Sequence, residues 1–141
     1  MADTSIPDVA SHPINPTVET VMSRALLTTT PKAILSAAKD IMEREGVRQL
    51  PVVEDGQLVG ILSERDLHAH AGYLERTKVD GAMTWSPLTL APTDTALHAA
   101  RIMIDKKMNA LPVVEGGRLV GIVSKTDLLR LLIDVIERRK R

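Results

Sequence analysis

The chain has 141 residues, with 18 basic and 18 acidic side chains, no cysteine, and only Trp85 and Tyr73 as aromatics. That length allows one compact domain or two half-domains sharing a core. The charge balance argues against a general polyanion binder. The missing cysteines exclude disulfides, a thiolate nucleophile and a cysteine zinc site, and so few aromatics argue against a stacking platform for single-stranded nucleic acid.

Residues 1–16 are polar and broken by Pro7, Pro13 and Pro16. With no apolar stretch of signal-peptide type, they read as a flexible arm, and a cytoplasmic location is expected. A short strand is expected over about Ala25 to Thr29, and Pro31 then stands at a helix entry. Ile34, Ala37, Ala38, Ile41 and Met42 recur at helical spacing, and Gly46 ends that helix. Two β-branched runs follow, Leu50 to Val53 and Leu58 to Leu62, joined by Glu54-Asp55-Gly56-Gln57, whose Asp-Gly pair signals a tight hairpin. A second helix opens around Ser63 to Asp66, and Ala71 to Asp80 form a link. The series then repeats: a strand over Pro87 to Ala91, Pro92, candidate caps Thr93 or Asp94, and a helix carrying Ala96, Ala99, Ala100 and Met103 to about Lys107. A second hairpin turns at Glu115-Gly116-Gly117-Arg118, and a last helix runs from Leu128 to about Arg138. Its apolar run, Leu128 to Ile136, is broken by Arg130 and Asp134 and is too short to span a bilayer.

The repetition is exact in register. Pro51-Val52-Val53-Glu54 recurs as Pro112-Val113-Val114-Glu115, and Leu58-Val59-Gly60-Ile61 as Leu119-Val120-Gly121-Ile122. Met22 matches Met83, Thr28 matches Thr89, Ser63 matches Ser124 and Asp66 matches Asp127, every pair 61 residues apart. An ungapped offset of this kind marks duplicated structure. Two copies are too few for a solenoid and are expected to close about a pseudo-twofold axis. The expected fold is α+β, two βαββα repeats over residues 17–73 and 74–136, with a basic tail at 137–141.

Leu-Pro-Val-Val, a Gly-containing turn, Leu-Val-Gly-Ile and Ser-x-x-Asp, present twice in register, closely resemble the CBS (cystathionine β-synthase) domain. A tandem pair is often called a Bateman module. The resemblance covers Val18 to about Leu132, and it implies a stand-alone pair forming a disk with two clefts. There, members of the family commonly bind AMP, ADP, ATP or S-adenosylmethionine. One repeat would supply the Ser/Thr and Asp, the other the adenine pocket.

Asp66 and Asp127 begin helices, where a carboxylate is ordinarily a cap or a dipole partner. In the CBS frame the resemblance makes them ribose acceptors. Ser63 and Ser124 stand where strand passes to helix; free N–H groups and a hydroxyl there suit a phosphate, and an N-cap role is compatible. Where the family often has a hydroxyl before the Asp, the second copy has Thr126 and the first has Arg65, equally a phosphate partner or surface cover. Arg48 is placed by the resemblance near the phosphate, and its counterpart Asn109 carries no charge. The Asp66 cleft would thus comprise Arg48, Ser63, Arg65 and Asp66, with Leu88, Thr89, Asn109, Ala110, Leu111 and Pro112. The Asp127 cleft would comprise Ser124, Lys125, Thr126 and Asp127, with Leu27, Thr28, Gln49, Leu50 and Pro51. Core packing is the plain reading of Leu50 and Leu111.

His68 and His70, two apart on a helix, point to different sides and make a poor metal pair, and His12 and His98 are isolated. No metal, no resident cofactor and no catalytic set are expected. The expected function is a regulatory sensor of adenosyl nucleotides, acting as a homodimer on a protein that the sequence does not name, with no membrane or nucleic-acid partner. The alternative is a ligand-free dimerisation and interaction scaffold. A minor third reading makes Arg138-Arg139-Lys140-Arg141 a nucleic-acid contact, although a basic run at a helix end is more often solvated.

Overall fold

The computed structural model describes residues 15–139, with the side chain of Arg139 excepted; the arm up to Ile14, including His12, and Lys140 and Arg141 of the tail lie outside the described residues. The elements are α1 (Val18–Val21), α2 (Leu35–Glu45), β1 (Gln49–Glu54), β2 (Gln57–Ser63), α3 (Glu64–Ala69), β3 (Thr84–Trp85), α4 (Ala96–Lys106), β4 (Ala110–Glu115), β5 (Arg118–Ser124) and α5 (Lys125–Arg139). A single turn of 3-10 helix covers Val79–Gly81.

They gather into two compact units. One takes the chain through Leu26, then Thr89–Glu115 and Val120 onward; the other takes Leu27–Leu88 and Gly116–Leu119. In the second of these, β1 and β2 form an antiparallel hairpin with a bulge between Val52 and Val53. Its two turn residues, Asp55 and Gly56, both have positive φ, 53° and 80°, which is the primed turn that matches the twist of paired strands. β3 pairs antiparallel with β2, Gly60 opposite Trp85, and Gln57 opposes Arg118. In the other unit the turn between β4 and β5 repeats the geometry at Gly116 and Gly117, φ 59° and 81°.

Each unit has its own aliphatic core. Leu35, Ala38, Met42, Leu50, Val52, Leu62, Leu67, Val79 and Met83 form one. Val18, Leu90, Ala99, Met103, Leu111, Val113 and Val123 form the other. Of the residues read at helical spacing, Ala38, Met42, Ala96, Ala99 and Met103 are inside, whereas Ile34, which caps α2, and Ala37 are exposed, and Leu35 takes the wholly buried place at the start of α2. Most core positions correspond at the 61-residue offset, Leu35 and Leu90 excepted, and one pair of segments crosses over. Val18 and Met22, which precede the first repeat's helix, pack with the second repeat's strands, while Val79 and Met83 pack with the first's.

Three local expectations are corrected. The strands expected at 25–29 and 87–91 shrink to single parallel bridges, Thr29 with Val52 and Leu90 with Val113. Only those residues present backbone groups in register: Thr29 N–H donates to the Pro51 carbonyl (3.0 Å) and Val53 N–H to the Thr29 carbonyl (2.9 Å). The cap of α4 is neither Thr93 nor Asp94 but Thr95, whose hydroxyl accepts from His98 N–H at 3.1 Å. Asp94 instead accepts from Ala91 N–H at 2.7 Å and closes the preceding turn. The last helix starts three residues earlier than expected, at Lys125.

Candidate functional site

Each hairpin delivers its second strand directly into a helix, at Ser63 and at Ser124. Ser63 is the N-cap of α3. Its hydroxyl accepts from Asp66 N–H (3.2 Å), while Asp66 Oδ2 accepts from both Ser63 N–H (2.7 Å) and the Ser63 hydroxyl (3.0 Å). The second repeat reproduces the set almost to the tenth of an ångström: Asp127 N–H to the Ser124 hydroxyl at 3.2 Å, and Ser124 N–H and hydroxyl to Asp127 Oδ2 at 2.8 and 3.0 Å. This is a reciprocal capping box with Asp in place of the usual Glu. The capping role named beside the ribose role is thus real in both copies. It spends one carboxylate oxygen and leaves Oδ1 without a hydrogen bond from the described residues, so one edge of each carboxylate can still accept from hydroxyls.

The box also limits what the helix start offers an anion. Glu64 N–H donates to the Arg48 carbonyl and Lys125 N–H to the Asn109 carbonyl, both at 2.9 Å. With the Asp66 and Asp127 amides engaged by the serines, one first-turn donor remains per helix, Arg65 N–H and Thr126 N–H. The free amides expected from the sequence are therefore fewer than a phosphate cradle would use, and charge must come from side chains. In the unit holding Asp66, the bond to Glu64 fixes Arg48 beside the helix start. Arg48 and Arg65 are both exposed, and neither makes an ion pair among the described residues. In the unit holding Asp127, Asn109 takes the place of Arg48, and Lys125 and Thr126 are exposed.

The residues expected at an adenine divide by burial. Thr29's bridge lays Leu27 and Thr28, both exposed, alongside Pro51; Leu90's bridge lays Thr89 alongside Pro112. Leu88 is 44% exposed and belongs to the unit of Asp66, whereas Thr89 begins the next stretch of the other. Gln49 is half-buried, and Ala110, Pro51 and Pro112 are buried. Leu50 and Leu111 are wholly buried in the two cores, so their side chains are packing groups and only their backbones could meet a ligand. His70 Nδ1 lies 3.0 Å from the Asp66 carbonyl, which ties its ring to the end of α3. Among the described residues no three potential metal ligands come together, and no helix is long and apolar enough to cross a membrane.

One exposed aromatic side chain had no place in the sequence reading of the site. Trp85, 59% exposed, stands opposite Gly60 on the strand that ends at Ser63. The repeat offset pairs it with Arg24, and that loss of correspondence between otherwise matching segments was the available signal.

Two hairpins, each feeding a Ser-x-x-Asp capping box, define a tandem repeat of one structural domain. The CBS domain model matches twice, over residues 18–71 and 79–134, and the chain belongs to the CBS domain family. It is 33% identical over 135 residues to a CBS domain-containing protein of Dictyostelium discoideum, covering 85% of this chain and 93% of that one. Among solved structures it is similar to CBSX2 of Arabidopsis thaliana in complex with AMP, at 29% identity and TM-score 0.78, covering 84% and 97% of the two chains. It is also similar to the CBS domain pair of protein MJ0100 in complex with 5′-methylthioadenosine and S-adenosyl-L-methionine, at 26% identity and TM-score 0.75, with 84% and 97% covered.

Proposed function

We propose that this CBS pair is a regulatory module that binds an adenosyl nucleotide and passes its occupancy to another protein. The carrying observation is the Ser-x-x-Asp box, kept in both repeats with one carboxylate edge unspent. Asp66 Oδ1 and Asp127 Oδ1 would accept from the ribose cis hydroxyls in charge-assisted bonds, each worth about 1.5–3 kcal/mol at best. Arg48 and Arg65 would attract the phosphates of a ligand held by Asp66. Lys125 and Thr126 would do so more weakly at Asp127. The AMP and S-adenosyl-L-methionine in the two similar structures support this ligand class.

No turnover is part of this reading. Phosphoryl transfer requires a positioned nucleophile and charge stabilisation, and the two boxes supply neither. The module is proposed to work as a homodimer in the cytoplasm.

Calorimetric titration of AMP, ATP, S-adenosylmethionine and NADH is the test. Binding of at least one adenosyl ligand is expected on the order of micromolar, weakened at least tenfold in Asp66→Ala or Asp127→Ala. Failure of every ligand to bind at millimolar concentration would overturn the reading. It would favour a ligand-free interaction scaffold, which has its own supporting observation: the capping box alone gives Ser63, Asp66, Ser124 and Asp127 a structural task.

A further inference from the structure

The starts of α2 and α4 are held in different ways. No side chain caps α2. Its first two amides donate to carbonyls of the link between the repeats, Leu35 N–H to Thr77 (2.9 Å) and Ser36 N–H to Leu74 (3.0 Å), and Ile34 bridges Lys78. α4 has its Thr95 cap, and its first two amides donate to the segment before the first repeat, Ala96 N–H to the Pro16 carbonyl (2.8 Å) and Leu97 N–H to Asn15 Oδ1 (3.1 Å). Pro16 and Thr77 correspond at the 61-residue offset, so equivalent carbonyls satisfy equivalent orphan donors. The difference lies in what each carbonyl is joined to.

Thr77 belongs to a link that grows out of α3. Tyr73 N–H donates to the His70 carbonyl (2.8 Å), and Arg76 N–H (3.0 Å) and the Thr77 hydroxyl (2.8 Å) donate to the Tyr73 carbonyl. His70 Nδ1 lies 3.0 Å from the Asp66 carbonyl. α3 in turn opens on the Ser63–Asp66 box and packs on α2. The path closes on itself: box, α3, link, start of α2, and back through the contact of α2 with α3. In the second repeat the path stays open. α5 leaves the Ser124–Asp127 box and runs on to Arg139, while the start of α4 is tied to residues 15–17, which no short link joins to α5.

We infer that the Asp66 box, α3, the link 70–78 and the start of α2 open and close as one unit, and that an adenosyl ligand on Asp66 locks it, whereas a ligand on Asp127 leaves the start of α4 as it was. This rests on the nucleotide-binding reading above and adds which repeat answers and where.

The unit is weakly held. α3 has six residues and buries only Leu67, so little apolar area opposes its opening, and such segments open well below the cost of global unfolding. The Leu35 and Ser36 amides are released only when the link lets go. A ligand that needs Asp66 in place must leave first, so opening becomes rarer by the factor 1 + [L]/Kd. Occupancy of the site is thereby converted into order in a neighbouring surface segment, which carries Tyr73 at 61% exposure.

Amide hydrogen exchange, read residue by residue by NMR on the full chain, tests this after calorimetry of AMP, ATP, S-adenosylmethionine and NADH on the same samples. In the Asp127→Ala protein, a compound that binds is expected at 100 times its Kd to slow Leu35 and Ser36 about 100-fold, and Ala96 and Leu97 by less than about twofold. In the Asp66→Ala protein, none of the four amides should change by more than about twofold. Without ligand, Ser63→Ala is expected to speed Leu35 and Ser36 about fivefold, and Ser124→Ala to leave Ala96 and Leu97 unchanged. Binding without slowed exchange at Leu35 and Ser36, equal slowing at the two helix starts, or a Ser63→Ala protein that exchanges there like the wild type would overturn the coupling and leave nucleotide binding standing. Binding by none of the four compounds would overturn the nucleotide reading and this inference with it.

Discussion

Met22 lies directly on Gly121, 99 residues away in the chain: a Cβ built at that glycine would come within 2.8 Å of the methionine Cγ. Met83 covers Gly60 in the same manner, with Sδ at 2.6 Å from such a Cβ, but there the Thr84 carbonyl also stands at 2.8 Å. Each glycine is the hole into which the segment from the opposite repeat inserts its methionine.

The two holes predict unequal costs. At Gly121 only a flexible side chain is in the way, whereas at Gly60 the obstruction includes backbone. Gly60→Ala is expected to destabilise by about 2–3 kcal/mol and Gly121→Ala by about 1 kcal/mol, within the range for overpacked cores. Met22→Ala in the Gly121→Ala background should recover part of the loss. Urea unfolding midpoints measure all three, and equal costs at the two glycines would contradict the backbone argument.

Lys107 predicts a stabilising change. It ends α4 in the left-handed region at φ 55°, the place that Gly46 fills at the end of α2 with φ 69°. A residue with a Cβ pays roughly 1 kcal/mol there. Lys107→Gly is expected to raise stability by about 0.5–1 kcal/mol, and Gly46→Ala to lower it by a similar amount, since open space surrounds Gly46 and only the φ is strained. A lowered midpoint for Lys107→Gly would mean that the lysine side chain does more than cap.

The capping boxes predict non-additivity. Ser63→Ala and Asp66→Ala remove overlapping hydrogen bonds, because Asp66 Oδ2 takes both of its donors from Ser63. Each should cost about 1 kcal/mol of stability, and the double variant little more than one of them. Additive costs in a double-mutant cycle would show that the box does not act as a unit.

Arg48 predicts a salt-dependent difference between the repeats. In the Asp127→Ala background, where only the Asp66 side can bind, Arg48→Ala is expected to weaken ATP roughly fivefold at low salt and less at 0.3 M, and AMP by a smaller factor, as screening of an exposed charge requires. In the Asp66→Ala background Asn109→Ala should change little. Titrations at two salt concentrations check this, and an unchanged ATP affinity after Arg48→Ala would remove the charge argument.

Local chemistry decided what could be read in advance. Asp55-Gly56 and Gly116-Gly117 each fill a turn that needs two positive φ values, so both hairpins were legible, though not the bulge between Val52 and Val53. Gly46 marked its helix end for the same reason, and the apolar spacing marked the buried face of α4 and, through Ala38 and Met42, part of that of α2. Ser-x-x-Asp marked the candidate site, because the pattern recurs in register. What escaped depended on partners distant in sequence. The expected strand at Ala25 to Thr29 could not be known to reach β1 at one residue only. The choice of Thr95 over Asp94 as cap turned on Asp94 finding Ala91 N–H first. The amides at the helix starts looked free until Arg48 and Asn109 were seen to offer their carbonyls.

The offset of 61 residues also tells which positions correspond but not which copy they complete. Val18 and Met22 close the core built on the second repeat's strands, and Val79 and Met83 the core built on the first's. A gene fragment ending between the repeats would therefore encode strands whose closing residues lie in the missing half, and closing residues whose strands are absent. Such a half is self-sufficient only as a pair that trades its leading segments. An ancestral single-repeat protein with this architecture would have been an obligate dimer, and the duplication tied that exchange into one chain. Circular permutation, with new ends in the loop after Leu26, should then be better tolerated than division into repeats.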